Sequence, residues 1–407
     1  MDFLSINAVV GQSGGPTSAI NSSLFGIIKA SLENEKIATL YGMKNGIEGF
    51  LREEFLDLSR IFSDKVKLSL LQNTPSSILG SCRMRLPKAD ESAVIYEKIL
   101  KILKKYNIKY FFYIGGNDSM DTVSKLSEYI KSQPYDVKII GIPKTIDNDL
   151  MCTDHAPGFG SAAKYVATVT SEILRDVSVY AKKSVTLIEL MGRDTGWLAS
   201  ASALPGALNG NGVDLIYLPE REFSKKQFIC DLEKSFLKHP NLVVAVSEGI
   251  RYSNGKYVAS SGERDNFGHE NLFGVAGVLS EIVKKEIGCK SRPVELSLPQ
   301  RCSAHLLSDT DIKESASAGE YAVSLATSGA TGKMVALERA KGKYKISFKP
   351  VHAAAVANAV KYVPSEYISK QGNHVTDACI EYLKPLIRGE RKIKYRDGLP
   401  VHLILDY

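Results

Sequence analysis

The sequence predicts an α/β protein with two lobes, each built on a mainly parallel sheet flanked by helices. Apolar runs of strand length alternate with helical periodicity along the chain, which is the pattern of repeated βαβ units. The chain has 407 residues, more than a single hydrophobic core usually organises, so we expect two lobes. Hydrophobic residues make up 44% of the chain and charged residues 24%, which excludes a disordered or fibrous class.

The predicted elements follow one another in alternating order. Apolar runs predict strands at residues 8–10, 110–114, 137–142, 185–190, 215–218 and 242–246. Helical periodicity predicts helices at residues 20–30, 91–106, 119–131, 161–180, 225–238, 272–287 and 311–328. The polar, glycine-containing stretch 252–268 predicts a surface insertion. The tail from Lys341 combines a strand pattern with one amphipathic helix and carries no evident chemistry.

Composition also limits the partners and the location of the protein. The first residues lack the basic and apolar regions of a secretory signal, and no transmembrane span is visible, so we expect a cytoplasmic protein without membrane contact. The six cysteines form no CxxC pair, which argues against a zinc site or a disulfide framework. The net charge of +7 is dispersed along the chain, so we expect no nucleic-acid partner.

The most informative motif is the segment 143–149, Pro-Lys-Thr-Ile-Asp-Asn-Asp, directly after an apolar run. Ligands bind at the carboxyl ends of strands in open α/β sheets. Phosphoryl transfer needs a carboxylate that takes a proton from a hydroxyl, a second carboxylate for Mg²⁺ and a cation that neutralises phosphate. The motif supplies all of these groups. Taken alone, it is equally compatible with a polar turn after a strand.

Two other predicted strands end in glycine-containing turns. The first turn is residues 11–17, Gly-Gln-Ser-Gly-Gly-Pro-Thr, and the second is residues 115–119, Gly-Gly-Asn-Asp-Ser. Glycines at a strand-to-helix turn leave backbone N–H groups open to phosphate. The first turn matches neither a Walker A sequence nor the full dinucleotide fingerprint, so a nicotinamide-binding enzyme is a distant alternative. By itself, a simple tight turn explains this segment about as well.

Together with Met191-Gly192-Arg193, these segments occur in the order and spacing of the phosphofructokinase family. The chain resembles this family from about residue 8 to the 320s. The resemblance implies the phosphofructokinase fold, with two Rossmann-like lobes and a homodimer or higher homo-oligomer. It assigns residues 1–158 with about 302–340 to the phosphoryl-donor lobe, and residues 159–301 with about 341–407 to the sugar-phosphate lobe. The boundary falls where a proline and two glycines interrupt the pattern near residues 157–160.

The resemblance also bears on the phosphoryl donor. Asp118 stands where ATP-using members usually have a third glycine, and Lys144 stands where they usually have a small glycine. A carboxylate at position 118 would repel the α-phosphate of a nucleotide, while Lys144 fills space and offers a cation. Both differences favour pyrophosphate. An ATP-dependent enzyme and a catalytically silent, sugar-phosphate-binding regulatory subunit are the alternatives.

The implied reaction is a reversible, Mg²⁺-dependent transfer from pyrophosphate to fructose 6-phosphate in glycolysis, giving fructose 1,6-bisphosphate and phosphate. The resemblance makes Asp147 the general base on the 1-hydroxyl, and Lys144, Arg83 and Arg193 the groups that stabilise the transition state. It assigns donor binding to Gly11, Gly14, Gly15, Gly116, Asp118 and Lys144. It assigns sugar-phosphate binding to Thr145, Asp147, Met191, Gly192, Arg193, Glu248, Arg292 and Arg301. It assigns Mg²⁺ binding to Asn117, Asp118 and Asp149.

Some positions depart from the family pattern. Asn117 replaces the more usual aspartate, which removes one formal charge from the implied metal site. Leu298 stands where many members have a polar contact to the 6-phosphate. Ser184 stands where some members insert an arginine from a neighbouring subunit, with Lys183 as a candidate substitute. The groups that recognise the sugar phosphate are therefore less completely defined than those for phosphoryl transfer.

Overall fold

Two main sheets organise the chain in the computed structural model, which describes residues 6–264, 270–272 and 274–405. The strands are β1 (Asn7–Gln12), β2 (Thr39–Met43), β3 (Phe55–Asp57), β4 (Ile108–Gly115), β5 (Lys138–Pro143), β6 (Ser184–Leu190), β7 (Leu215–Tyr217), β8 (Asn241–Ser247), β9 (Ser260–Arg264), β10 (Glu270–Leu272), β11 (Lys290–Glu295), β12 (Lys333–Arg339), β13 (Ile346–His352), β14 (Tyr395–Arg396) and β15 (Leu399–Pro400).

Helices of very different length connect these strands. They are α1 (Ile20–Leu32), α2 (Gly46–Leu51), α3 (Leu58–Ile61), α4 (Lys65–Leu71), α5 (Ala93–Lys105), α6 (Asn117–Lys131), α7 (Phe159–Val177), α8 (Trp197–Ala201), α9 (Leu204–Asn209), α10 (Lys225–Phe236), α11 (Val275–Glu286), α12 (Pro299–Cys302), α13 (Asp309–Thr327) and α14 (Asp377–Leu383). Short 3₁₀ helices cover Ala304–Leu306, Ala353–Ala355, Ser365–Tyr367 and Lys384–Ile387. Within the described ranges, no helix is both long and apolar enough to cross a membrane.

The first sheet has the strand order β13-β12-β5-β4-β1-β2-β3. Its central strands pair in parallel, and only the edge strands β3 and β13 pair antiparallel to their neighbours. Strand β4 is buried along nearly its whole length, as expected for a parallel strand covered by helices on both faces. The predicted fold class, α/β with mainly parallel sheets flanked by helices, is confirmed.

The second sheet has the order β11-β6-β8-β7, and all its strands are parallel. Every residue of β8 is buried. One face of this sheet packs against α7 and against apolar residues of the tail, which include Val363, Cys379 and Leu383. The tail therefore completes the core of the second lobe, although its first strand, β13, belongs to the first sheet.

The predicted strands and helices are all present, with ends that differ by a few residues. Strand β11 has no strong apolar signal in the sequence because most of its residues are exposed at a sheet edge. Strand β13, which the predicted lobe division assigns to the second lobe, pairs with β12 in the first sheet. Of the predicted surface insertion at residues 252–268, residues 265–268 lie outside the described residues.

The backbones of helices α1 and α13 are in direct contact at two glycines, Gly26 and Gly319. A Cβ atom at Gly26 would lie 1.9 Å from the carbonyl oxygen of Ala316, and one at Gly319 would lie 2.2 Å from that of Ser23. No side chain fits in either place without moving a helix. The contact ties the first helix of the chain to a helix that follows the whole second sheet, and so closes the first lobe.

We expect Gly319→Ala to lower the free energy of unfolding by about 1 to 3 kcal/mol, the usual cost of overpacking a rigid contact. The matched control is Gly277→Ala in α11, where a Cβ would meet nothing within 4 Å. The control should leave stability unchanged or raise it by up to about 1 kcal/mol, because alanine is the better helix former. Urea unfolding of both variants measures the difference. Equal stabilities would contradict the close contact.

Candidate active site

A cleft of about 370 Å³ lies at the carboxyl ends of β1, β4 and β5. Gln12 of β1 pairs with Ile114 of β4, and Gly115 pairs with Pro143 of β5, so the turns that follow these strands emerge side by side. Loops that follow β6 and β8 of the second sheet reach the same cleft. The cleft thus lies between the two sheets, at the edge where open α/β sheets bind ligands.

Most residues that the sequence predicts for the site line this cleft. They are Gly14, Gly15, Arg83, Gly116, Asn117, Asp118, Lys144, Thr145, Asp147, Asp149, Met191, Arg193, Glu248 and Arg301. Gly11 is buried in β1, where an added Cβ would lie 2.8 Å from the sulfur of Met43. Gly192 lies just behind the lining, and its N–H donates to a carboxylate oxygen of Glu248 at 3.1 Å.

Arg292 is the predicted site residue that the structure places elsewhere. It lies on β11, and its guanidinium is half-exposed, 3.6 Å from the Asp176 carboxylate. There it borders a separate groove with Val169 and Ile173. Within one chain, Arg292 therefore does not reach a ligand in the cleft, and its role in binding the 6-phosphate stays a prediction.

The ammonium of Lys144 is buried beneath the first glycine turn. Its Nζ donates to the carbonyl oxygen of Gly15 at 2.6 Å, and only 3% of the residue is exposed. A Cβ at Gly14 would lie 3.3 Å from this Nζ, and one at Gly15 would lie 3.2 Å from Nη1 of Arg301. Burial lowers the pKa of Lys144 to about 8, against the charge of Asp147. Lys144 and Arg301 thus lie next to two glycines whose backbone N–H groups no side chain covers, an arrangement that suits a small polyanion.

Two carboxylates, Asp147 and Asp149, lie on the turn after β5. Burial raises the pKa of Asp147 to about 7, and the negative charges of Asp149 and Glu248 add to the rise. Burial also raises the pKa of Asp149. The Thr145 hydroxyl accepts the Asp147 N–H at 3.1 Å and hydrogen-bonds the Asp149 carboxylate, which fixes the turn. A carboxylate with a pKa near neutrality can accept a proton from a hydroxyl.

Asn117 and Asp118 lie in the first turn of α6, at the rim of the cleft. The Asp118 carboxylate is 2.8 Å from the guanidinium of Arg85, and both side chains are about half exposed. The Asn117 amide nitrogen donates to the carbonyl of Ala359, and its amide oxygen accepts the N–H of Asn358. The Asn117 side chain is therefore already bonded to the tail backbone.

The carboxylates present fit a cation that arrives with a phosphate. Among the described residues, no group of three or more His, Cys, Asp or Glu could hold a metal by itself. Mg²⁺ usually binds proteins through one or two carboxylates and takes its other oxygens from water and substrate phosphate. Asp118 and Asp149 both line the cleft and can supply such carboxylates.

The loops after β6 and β8 hold each other on the opposite side of the cleft. The N–H of Met191 donates to Oε1 of Gln300 at 3.1 Å. Burial raises the pKa of Glu248, and the positive charge of Arg193 opposes that rise. Gly249 permits this arrangement, because a Cβ there would lie 1.7 Å from the carbonyl oxygen of Arg193. The result is an apolar sulfur, a carboxylate and a guanidinium facing the space beside Asp147.

Other residues of this region have no role assigned from the sequence, although several lie within the predicted motifs. The cleft is also lined by Ser13, Pro16, Thr17, Cys82, Met84, Ser119, Ile146 and Asp194. Below the turn after β5, Lys361 of the tail donates its N–H to the carbonyl of Asp149 at 2.7 Å. Burial lowers the pKa of Lys361 to about 8. A single lysine in a polar tail gives no sequence signal for such a position.

A buried histidine supports the same turn from beneath. His155 is 1% exposed, and its Nδ1 and Nε2 lie 2.8 Å from Asp154 and 2.7 Å from Glu314. Burial alone lowers the pKa of His155, but the hydrogen bonds to the two carboxylates outweigh it and raise the pKa above its usual value. Arg339 adds a second cation at 2.9 Å from Asp154. Both ring nitrogens face acceptors, a geometry that requires the protonated imidazolium.

A sequence model of the family described as phosphofructokinase matches residues 7–323. The chain belongs to the phosphofructokinase family. This confirms the family that the motifs predict, and it leaves the tail of this phosphofructokinase outside the matched region.

Relatives similar over nearly their full length carry a more specific name. Pyrophosphate–fructose 6-phosphate 1-phosphotransferase of Halomonas elongata is 38% identical over 97% of this chain and 94% of the relative. The protein of the same name from Xanthomonas campestris is 39% identical over 98% of this chain and 96% of the relative. The crystal structure of pyrophosphate-dependent phosphofructokinase from Nitrosospira multiformis matches with a TM-score of 0.89 and 35% identity, over 98% of this chain and 96% of that one.

The paired histidine predicts a pH-dependent stability for this phosphofructokinase. Because the folded-state pKa of His155 is raised, its contribution is fully present below the unfolded pKa, about 6.5, and is lost as pH rises through the folded pKa. We expect His155→Gln to lower the free energy of unfolding by about 3 kcal/mol near pH 6 and by less near pH 9. Urea unfolding at both pH values measures this.

The control for that measurement is His305→Gln, a change at an exposed histidine, which should alter stability little at either pH. A penalty for His155→Gln that does not vary with pH would show that the imidazole is uncharged in the folded protein.

Proposed function

We propose that the protein transfers a phosphoryl group from pyrophosphate to the 1-hydroxyl of fructose 6-phosphate, giving fructose 1,6-bisphosphate and phosphate. The observation that carries the proposal is the buried ammonium of Lys144 beneath the Gly14–Gly15 turn, next to Asp147. The near full-length similarity to relatives named for this reaction supports it. We place the reaction in glycolysis and in the cytoplasm, and we expect it to run in both directions.

Asp147 acts as the general base in this proposal. Its carboxylate takes the proton of the 1-hydroxyl as the oxygen attacks the phosphorus, so that the attacking oxygen gains charge only in the transition state. A pKa of about 7 gives a base that is ionised in much of the protein at neutral pH and still basic enough to accept the proton. Thr145 keeps the base in place through its bond to the Asp147 N–H.

Cations on several sides of the cleft stabilise the transferred group. Lys144 lies under the Gly14–Gly15 turn, called the donor turn below, while Arg83 and Arg193 line the cleft with guanidinium groups, whose planar forks suit phosphate oxygens. Fixed positive groups aimed at developing charge lower the barrier because they need no reorganisation during the reaction. Asp118 and Asp149 would hold Mg²⁺, which supplies further positive charge to the phosphate oxygens when bound.

The donor turn favours an inorganic donor over a nucleotide. Lys144 fills the space below Gly14, and Asp118 puts a carboxylate at the rim, where the rest of a nucleotide would have to leave the cleft. Like charges at contact in a partly dry site cost several kcal/mol, even though Arg85 offsets part of the Asp118 charge. Pyrophosphate has no nucleoside part to place beside Asp118, and its phosphates lie next to the cations at the Gly14–Gly15 turn.

On the sugar side, Met191, Glu248 and Arg301 line the space next to Asp147. Within one chain we assign the 6-phosphate to Arg301, whose guanidinium also approaches Gly15. Leu298 is exposed and apolar, and Arg292 lies outside the cleft. A contact between Arg292 and the sugar phosphate requires a second copy of the chain. We therefore include a homodimer or higher homo-oligomer in the proposal.

A donor comparison tests the proposal. With fructose 6-phosphate and Mg²⁺, the purified chain should form fructose 1,6-bisphosphate at least about a hundredfold faster with pyrophosphate than with ATP, since charge repulsion of several kcal/mol acts only on the nucleotide. A faster rate with ATP would assign the chain to the ATP-dependent enzymes. Absence of turnover with either donor would leave a silent sugar-phosphate-binding protein.

Asp147→Asn should lower kcat by about 10² to 10⁴-fold, the usual share of a general base, and should leave the affinity for fructose 6-phosphate largely intact. Steady-state kinetics and equilibrium binding of the sugar phosphate measure the two effects separately. The control is Asp136→Asn, the same change at an exposed aspartate before β5, which should keep normal turnover. Near-normal kcat in Asp147→Asn would remove this residue from the mechanism.

A further inference from the structure

We propose that the tail segment Asn358–Lys361, called the strap below, positions the first turn of α6 and the turn after β5, called the catalytic turn below, through the positioning residues Asn117 and Lys361. The strap lies outside the region matched by the family model, which ends at residue 323. The inference deepens the proposed function and rests on it. It gives Asn117 a role other than the metal binding that the sequence resemblance implies.

The strap starts from a fixed point in the core. Strand β13 ends at His352, and the 3₁₀ helix Ala353–Ala355 leads to Val356, which is fully buried. Val356 packs in one apolar cluster with Met120 of α6 and Leu150, the residue after the catalytic turn. Val356 therefore anchors the chain between α6 and the turn after β5, just before the strap begins.

Asn117 binds the strap as a peptide group would. Its amide nitrogen donates to the carbonyl of Ala359, and its amide oxygen accepts the N–H of Asn358. An amide side chain can donate and accept at once, whereas an ionised carboxylate only accepts. An aspartate at this position would lose the first bond and face the Ala359 carbonyl with a like partial charge. The strap thus gives a physical reason for the asparagine where the family usually has aspartate.

Lys361 binds both ends of the segment that carries the catalytic turn. Its N–H donates to the carbonyl of Asp149 at 2.7 Å. Its Nζ donates to the Asn148 side chain and the Thr153 carbonyl, each at 3.2 Å, and to the Asp154 carbonyl at 2.8 Å. One lysine therefore fixes the path of the chain from 148 to 154.

The strap also contacts the single tryptophan of the chain. The indole Nε1 of Trp197 donates to the carbonyl of Lys361 at 2.9 Å, and the Lys361 ammonium lies 5.4 Å from the ring centroid. Trp197 is 2% exposed. Its fluorescence therefore reports on the strap with no other tryptophan in the background.

These bonds reach the donor side of the cleft in particular. The strap binds Asn117, which precedes Asp118, and the backbone of Asp149; we assign both aspartates to the side of the cleft that binds pyrophosphate. On the sugar side, Met191 and Glu248 are held instead by Gln300 and Gly192. Loosening the strap should therefore disturb pyrophosphate binding more than sugar-phosphate binding.

The decisive variant is Asn117→Asp, which keeps the size of the side chain, removes its hydrogen-bond donor and adds a negative charge. We expect the KM for pyrophosphate to rise about tenfold, because the bond to the partly buried Ala359 carbonyl is lost and a carboxylate faces that carbonyl instead, while the KM for fructose 6-phosphate changes by less than about twofold. A metal-binding role predicts the reverse. An added negative charge would then lower the Mg²⁺ concentration needed for half-maximal activity and leave the KM for pyrophosphate unchanged, and that result would overturn the inference.

The control is Asn254→Asp, the same change in an exposed turn where the side-chain oxygen accepts the N–H of Lys256, a bond that a carboxylate oxygen can also accept. It should match the unaltered protein in all these constants. Circular dichroism checks that each variant is folded. Lys361→Gln is the second variant, and it should give the same split between the two KM values together with a shifted Trp197 emission.

Trypsin cleavage supplies a readout without catalysis, metal or substrate. The bond after Lys361 should resist trypsin in the unaltered protein and in Asn254→Asp, because the strap holds the lysine, and should be cut faster in Asn117→Asp. Equal cleavage in all three proteins, together with equal KM values for pyrophosphate, would overturn the inference that the strap positions these turns. Failure of the unaltered protein to use pyrophosphate would instead remove the proposed function, while the cleavage rates would still decide whether Asn117 holds the strap.

Discussion

The parallel pairing of β4 with β1 and β5 is the constraint on which the site depends. The register places the ends of these strands next to one another, so a phosphate-binding turn, the first turn of α6 and the catalytic turn converge without long loops. A slip of one residue would turn every side chain of a strand to the opposite face. Strand β4 cannot slip in this way, because Phe111, Phe112 and Tyr113 fill apolar cores on both of its faces.

Charged groups in the cleft are held by other charged groups, not by solvent. Lys144, Asp147 and Asp149 are each costly to bury alone. The two carboxylates repel each other, while the attraction of Lys144 to both and the hydrogen bonds offset part of the cost. Beneath them, His155 and its carboxylates form a second buried set that holds the chain just after the catalytic turn. Such a site keeps its geometry in the absence of ligand, which is the condition for electrostatic stabilisation of a transition state.

Local patterns in the sequence predict much of this arrangement. The apolar runs of β4 and β5 and the turn residues after them reflect short-range rules, so the position of Asp147 and Lys144 at a strand end follows from the sequence. The partners of Asn117 do not, because they lie more than 240 positions away in a tail without a chemical motif. Strand β11 is likewise invisible, since an exposed edge strand lacks the apolar run that marks a buried one.

The contact between Gly26 and Gly319 has a consequence for the order in which the protein can fold. Helix α13 and strands β12 and β13 complete the first lobe, yet the ribosome makes them only after the whole second sheet. The first strands must wait with one side of their core uncovered, a state prone to aggregation. The first lobe therefore cannot complete its core until α13, β12 and β13 have been made, so its folding ends later than the order of its first strands in the sequence suggests.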